Sequence, residues 1–415
     1  MKIIDANIKI IQDSRGKDTL EAELSSGDFS AVASVPAGKS TGAHEAFVLE
    51  PKSAIKKFEE IKNEILGKDF ETQEKFDNFL VQLDGTENKS NLGGNLILSL
   101  SLAFARLKAK EENLELFEYI SEVSSIKYQV SRLPRPIFNV INGGAHMAHP
   151  ESKLEIQEFQ VIPQVDDFNM AFSVGKIFYR KLGNYLREKF GDENVVLGDE
   201  AGYSAPFKNN EEALECLAEV IEKYKYPLRI GLDVAASQFY RSNQESVNSN
   251  QEFYKINGNK YSAEELKDYY LKLIETYNII SIEDPFNEEA FDMFASLAAD
   301  LCGQDADRRG RLVITDDLTT TNSMRLKTAI EKKSGNAILI KLNQIGTLTE
   351  TLKVVKMAYE NNWQVVVSHR SGETMDDFIA DLAVGIGAWG IKAGAPAAPE
   401  RLVKYNRILE IALQR

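Results

Sequence analysis

The sequence predicts an α/β protein in which a carboxy-terminal (β/α)8-type TIM barrel, residues 133–415, follows an amino-terminal α+β capping domain, residues 1–132. Three observations carry this. The chain has 415 residues, more than one ordinary core needs, and a barrel of roughly 250 residues leaves room for a second domain. Its first third reads as strands followed by helices, without alternation, which marks a separate α+β layer. The remainder alternates short apolar runs with helical stretches, the pattern of buried parallel strands joined by helices.

Taken in order, strands are expected at Lys2–Ile11, Asp18–Leu24 and Phe29–Val35, joined by Ser14-Arg15-Gly16 and Ser25-Ser26-Gly27. Helical periodicity follows near Ser53–Leu66, Thr72–Leu80, Leu92–Lys110 and Glu115–Ser121. Leu133-Pro134-Arg135-Pro136 suits a boundary, because two prolines stiffen the connection and exclude a helix. The apolar runs are Val195–Leu197, Leu228–Leu232, Ile279–Ile282, Leu312–Ile314, Ala337–Ile340, Gln364–Val367 and Gly390-Ile391. Each ends in polar residues: Gly198-Asp199-Glu200, Asp233, Glu283-Asp284, Asp316-Asp317, Lys341, His369-Arg370 and Lys392. From Asp233 onward these endings are 50, 33, 25, 28 and 23 residues apart, lengths that suit βα units. The longest interval contains Arg241–Gln251, which reads as a solvated loop.

Composition narrows the function. With 43% hydrophobic and 27% charged residues the chain is globular rather than disordered. A net charge of −14 argues against a nucleic-acid partner, which requires basic stripes. Cys216 and Cys302 form no CxxC pair and no disulfide framework, so a reducing compartment is expected. Met1–Gly16 has no continuous apolar core of a signal peptide, and no run reaches the roughly 18 apolar residues of a membrane span. A cytoplasmic location is the expectation.

A barrel carries its chemistry at the carboxyl ends of its strands. A ring of ionisable residues there needs a metal or an anion to be tolerated. Asp233, Glu283 and Asp316 offer three hard oxygen ligands with no Cys or His beside them, which suits magnesium rather than zinc. Helix capping explains Asp316 or Asp317 easily, but Glu283 poorly. Lys341, Arg370 and Lys392 supply the positive charge that an acidic set requires. Gly38-Lys39-Ser40-Thr41 resembles the end of a nucleotide-binding loop, but Ala33 stands where that loop needs glycine.

Further motifs run in order along nearly the whole chain: Asp13-Ser14-Arg15-Gly16, Ser40-Thr41-Gly42, Asn139-Val140-Ile141-Asn142-Gly143-Gly144 and Gln157-Glu158-Phe159. Others are Ser281-Ile282-Glu283-Asp284-Pro285, Lys341-Leu342-Asn343-Gln344-Ile345-Gly346-Thr347, Ser368-His369-Arg370-Ser371-Gly372 and Ile391-Lys392-Ala393-Gly394-Ala395-Pro396. Together they resemble the motifs of enolase. The resemblance implies reversible conversion of 2-phosphoglycerate to phosphoenolpyruvate with two magnesium ions per site. It implies that Asp233, Glu283 and Asp316 hold the first ion and that Ser40 helps hold the second. Lys341 matches the base, with a pKa expected to be depressed by nearby cations. Glu200 matches the general acid, with Glu158 beside it so that one carboxyl retains a proton. His369 joins this catalytic set. His146, Gln157, Arg370, Ser371 and Lys392 match substrate contacts, Arg370 as the phosphate grip and His146 on a loop that closes over the substrate. A homodimer, or an octamer as among bacterial members, is implied.

Some positions depart from the family's pattern, and a somewhat divergent, bacterial member is expected. Lys39 precedes Ser40; Ala201 and Ala393 replace a usual glycine and threonine; Gln238 replaces a usual glutamate. Ala397-Ala398-Pro399 stand where an arginine is usual. Two rival readings remain. One is a related acid dehydratase of the same superfamily. The other is a paralogue displayed on the cell surface to bind plasminogen, although the chain ends in Gln414-Arg415 rather than lysine.

Overall fold

The computed structural model describes residues 1–38, 44–126, 132–242, 252–301 and 310–414. Three antiparallel strands, Asp5–Gln12, Asp18–Ser26 and Phe29–Ser34, form the amino-terminal sheet. Alternating side chains on the second strand are buried beneath the helix Gly94–Glu111, which is itself buried along most of its length. Helices Pro51–Ile65, Gln73–Asp84 and Leu116–Ser124 complete this unit. Thr72 caps Gln73–Asp84 by accepting from Lys75 N, and Gly85 ends it at φ +70°, where a side chain would be strained.

Eight strands close the barrel. They are Arg135–Asn142, Glu158–Pro163, Leu228–Asp233, Ile279–Glu283, Leu312–Thr315, Ala337–Ile340, Gln364–Ser368 and Gly390–Lys392. The last pairs with the first. The second strand runs antiparallel to both neighbours, so the barrel is not a uniform (β/α)8 array. Two helices, Phe168–Phe190 and Asn210–Tyr224, separate the second strand from the third; thereafter at least one helix lies between each barrel strand and the next. Ile137, Ile162, Ile280, Leu312, Ile314, Ala337, Leu339 and Val366 fill the barrel interior, while Ile338 and Ile340 belong to the larger core that includes the outer helices. This two-sided burial explains the continuous apolar runs.

Three readings change. Val196–Leu197 is no barrel strand; it pairs antiparallel with Tyr203–Ser204 and its side chains are exposed. The first two barrel strands, Arg135–Asn142 and Glu158–Pro163, were not foreseen as such. Of the stretch Arg241–Gln251 read as a solvated loop, Arg241 and Ser242 belong instead to the strand Tyr240–Ser242, which pairs with Glu252–Ile256, itself paired with Asn259–Tyr261; residues 243–251 lie outside the described residues.

The amino-terminal unit is bonded to the barrel. Lys89 Nζ lies 3.0 Å from Glu350, and Arg106 grips Asp376 and Asp377. Asp77 Oδ2 accepts from Thr349 N at the start of the barrel helix Leu348–Glu360, at 2.9 Å. Burial pushes the Asp77 carboxyl up to about 6, against the hydrogen bonds it accepts. A folded-state pKa above the unfolded one means that the proton favours the fold. Stability from this group is therefore complete below the unfolded pKa of about 4 and is lost as pH rises through about 6. Asp77→Asn is expected to flatten the stability profile between those values, measured by urea unfolding across pH.

Candidate active site

The carboxyl ends of the seven parallel barrel strands, the amino end of the antiparallel second strand and the adjoining turns surround a cleft. Register brings the first acids together: Asp233 pairs with Glu158 on one side and with Glu283 on the other. Asp316 follows the next strand, and Asp284 fixes its backbone by accepting from Asp316 N at 2.9 Å and Asp317 N at 2.7 Å. Lys392, from the eighth strand, reaches into the ring. Its Nζ lies 2.8 Å from Asp233, 2.9 Å from Glu283 and 3.1 Å from Glu158. Lys341 Nζ contacts Asp316 Oδ2, whose other oxygen accepts from Gln344 Nε2 at 2.9 Å.

Charge in this ring is not fully balanced. Burial, with Asp233 and Asp316 nearby, holds the Glu283 carboxyl well above its usual range despite Lys392. Burial also raises Asp233, against the pull of Lys392. Two buried acids that resist ionisation beside two lysines leave room for further positive charge, and their oxygen donors fit a hard divalent cation. Oxygens of Asp284, Asp316 and Asp317 also lie within 4.8 Å of one another, as do ligand atoms of His146, Glu158 and Glu200.

The expected depression of Lys341 is not found. Burial lowers its pKa, as do Arg370 and Lys392, but the Asp316 carboxylate outweighs them and the ammonium stands above its ordinary value.

Glu158, Glu200 and the histidines form a second cluster that adjoins the ring through Glu158. His146 Nδ1 lies 3.5 Å from Glu158 and 3.6 Å from Glu200, and His369 Nε2 lies 3.3 Å from Glu200 Oε2. His146 is already buried against both acids. Asn139 Nδ2 donates to Glu200 and Gln160 Nε2 to Glu158, each at 2.9 Å. The expectation that one of the two carboxyls is raised fails. Burial does raise both, but Lys392 and His146 pull Glu158 down, and His369, His146 and Arg401 pull Glu200 well below its usual range. Glu200 arrives on a tight turn in which Ala201 takes φ +61°. A methyl group is strained there, so Ala201→Gly is expected to stabilise the fold by about 0.5–1 kcal/mol in thermal denaturation.

Arg370 is buried and held by the amino-terminal unit: its guanidinium donates to Glu45 at 2.9 and 3.2 Å and to Asn343 at 2.8 Å. Ser371 Oγ accepts from Arg15 Nη1 at 3.2 Å. Gln157 Nε2 donates to Asp233 at 3.3 Å, and Gln238 donates to Gln157 Oε1 while accepting from Ala145 N. Glutamine at 238 thus supplies both a donor and an acceptor, where an ionised glutamate offers acceptors alone. Of the proposed site residues among those described, all but Glu283 line this one cleft; Ser40 and Lys39 lie outside the described residues. Glu283 enters the ring through Lys392. Glu45, Asn139, Gln160 and Arg401 were not anticipated. Asn139 opens one of the quoted motifs and Gln160 stands among apolar residues, signals that could have found them; Glu45 and Arg401 carry none.

Comparison with known proteins agrees with this architecture. Residues 3–120 match the family model described as "Enolase, N-terminal domain", and residues 130–414 match "Enolase, C-terminal TIM barrel domain". The enolase of Methanocaldococcus jannaschii is 40% identical over 425 residues, covering 99% of this chain and 95% of that protein. That of Methanosarcina acetivorans is 40% identical, covering 99% and 94%, and that of Methanococcoides burtonii 41%, covering 97% and 92%. These relatives are archaeal, which leaves the expected bacterial origin without support. On two family models and near-complete relatives, the chain belongs to the enolase family.

Proposed function

We propose that the cleft performs a hydro-lyase reaction, the reversible dehydration of 2-phosphoglycerate to phosphoenolpyruvate in glycolysis and gluconeogenesis. The observation that carries this reading is the pairing of Lys341 with buried Asp316 and of Lys392 with buried Asp233 and Glu283, with Arg370 lining the same cleft. Asp233, Glu283 and Asp316 would hold one magnesium ion, and Ser40 would help hold a second, together supplying the positive charge that a doubly ionised enolic carboxylate requires. Lys392 pairs with the substrate carboxylate. Arg370 and Ser371 engage the phosphate, Arg370 through its planar fork. Gln157 and His146 complete the substrate contacts.

Lys341, as the amine, removes the proton from C2. Were Asp316 committed to a bound magnesium ion, the main influence keeping Lys341 protonated would be weakened. The C3 hydroxyl leaves on the opposite side, toward Glu200, Glu158 and His369. A proton held among these groups converts it to water. The same reading places the domain boundary at residues 132/133, a homodimer or octamer in solution, and a cytoplasmic enzyme; surface display is a separate question for a plasminogen-binding assay. No described helix is long and apolar enough to cross a membrane.

The test is substrate profiling with magnesium, following the ultraviolet absorbance of the enol product. Turnover of 2-phosphoglycerate with none of glycerate or non-phosphorylated sugar acids is expected. The reverse selectivity would favour a related acid dehydratase. Light scattering reads the assembly.

A further inference from the structure

Arg401 is a fully buried arginine on the last helix, Pro399–Gln414, and its partners lie around the leaving-group wall. Nη1 lies 2.6 Å from His369 Nδ1 and donates to Arg370 O at 2.8 Å; Nη2 donates to Ser371 O at 2.6 Å and to Asp199 O at 3.0 Å. One guanidinium therefore ties together the segments that carry His369 and Glu200. Gly394 lets it approach: a Cβ there would lie 3.0 Å from Arg401 Cδ and 3.1 Å from His369 Cε1.

A guanidinium only donates, so an imidazole nitrogen facing it must accept, and the ring proton must sit on the other nitrogen. We propose that Arg401 is a positioning residue that fixes His369 as a neutral ring protonated on Nε2, giving a permanent hydrogen-bond donor toward Glu200 and the departing hydroxyl. The hydroxyl part of this rests on the dehydration reading above; the tautomer does not.

The surroundings agree. His369 Nε2 is buried and makes no hydrogen bond of good geometry, although it lies 3.3 Å from Glu200. A donor left partly unengaged at the cleft wall is available to a ligand oxygen. Charged groups around the ring are Glu200 on the neighbouring turn, Arg401 on the last helix, and Glu373 on its own loop, itself paired with Lys404 at 2.8 Å. Burial depresses the His369 pKa and Arg401 adds to this, against Glu200 and Glu373. With His369 neutral, its influence on Glu200 is that of a hydrogen-bond donor rather than of a full charge.

The test is nitrogen-15 NMR of histidine-labelled, magnesium-loaded protein, in which four histidines make assignment direct. His369 is expected to show an unprotonated Nδ1 and a protonated Nε2 from about pH 8 to about pH 6, across the ordinary histidine range. In Arg401→Met, its protonation midpoint is expected to rise by about one unit or more, with the acid limb of kcat following it. Proton on Nδ1 in the unmodified protein, or an unmoved midpoint in folded Arg401→Met, would overturn the assignment. If that variant does not fold, the spectrum of the unmodified protein decides alone. The Nε2-protonated tautomer in a protein without turnover on 2-phosphoglycerate would overturn the dehydration reading and leave the role of Arg401 standing.

Discussion

Lys341→Ala is expected to lower kcat on 2-phosphoglycerate by on the order of 10²–10⁴-fold, with a much smaller change in KM. Lys341 ends the sixth barrel strand, and its ammonium touches Asp316 inside the cleft. No other lysine takes its place, because the Lys392 ammonium is already committed to Glu158, Asp233 and Glu283. Some stability should go with the activity. Lys341 is the main influence that overcomes burial and depresses the Asp316 carboxyl. A depressed acid contributes stability above its unfolded pKa and loses it as pH falls through the folded value. Removing the lysine forfeits that contribution at neutral pH, although Gln344 still donates to Asp316. Ultraviolet assay with circular dichroism on the same sample separates lost catalysis from lost fold; a folded variant that retains turnover would remove Lys341 from the reaction.

Lys392→Met is expected to have the largest effect on stability, about 3–5 kcal/mol in chemical denaturation without magnesium. It strands three buried carboxylates, Asp233, Glu283 and Glu158, around the place of their common partner. In the unmodified protein the Lys392 pKa is raised well above its usual value: burial opposes the charge, and Asp233, Glu158 and Glu283 more than compensate. Its contribution is therefore complete below the unfolded lysine pKa and fades only as pH rises through the higher folded one. Without the ammonium, the acids should take up protons on folding, so the variant should become more stable on acidification. Magnesium should recover part of the loss, since a ligand that binds only the folded state stabilises it. A variant as stable as the unmodified protein would mean that these acids are not held by Lys392.

Much of the barrel was legible because a parallel strand buried on both faces is an unbroken apolar run, and here most such runs end in an ionisable residue. The first two barrel strands escaped for identifiable reasons. Pro134 and Pro136 flank Arg135 and read as a linker, yet Pro136 lies in the strand, opposite Ile391 in the pairing that closes the barrel. Glu158 and Gln160 put polar groups on the wholly buried second strand, which breaks the apolar run that would reveal it. Val195–Leu197 misled in the opposite sense, two of its three apolar residues lying on the exposed strand Val196–Leu197.

The site divides in the same way. Asp233, Glu283, Lys341 and Lys392 stand at the ends of recognisable strands, so their convergence follows from barrel closure. Glu45 and Arg401 come from the amino-terminal unit and the last helix, and only tertiary contact gives them partners. The directions of the Lys341 and Glu200 pKa values were also hidden. They depend on which neighbour touches the group, Asp316 in one case and two histidines in the other.

If this acid–lysine ring removes the C2 proton of a phosphorylated hydroxy acid in a magnesium-dependent step, proton NMR of 2-phosphoglycerate in deuterated water will show it. Phosphoenolpyruvate and deuterium at C2 of returned substrate are expected with magnesium, and neither after chelation or in Lys341→Ala. Undiminished exchange in the chelated protein or in that variant would contradict the account.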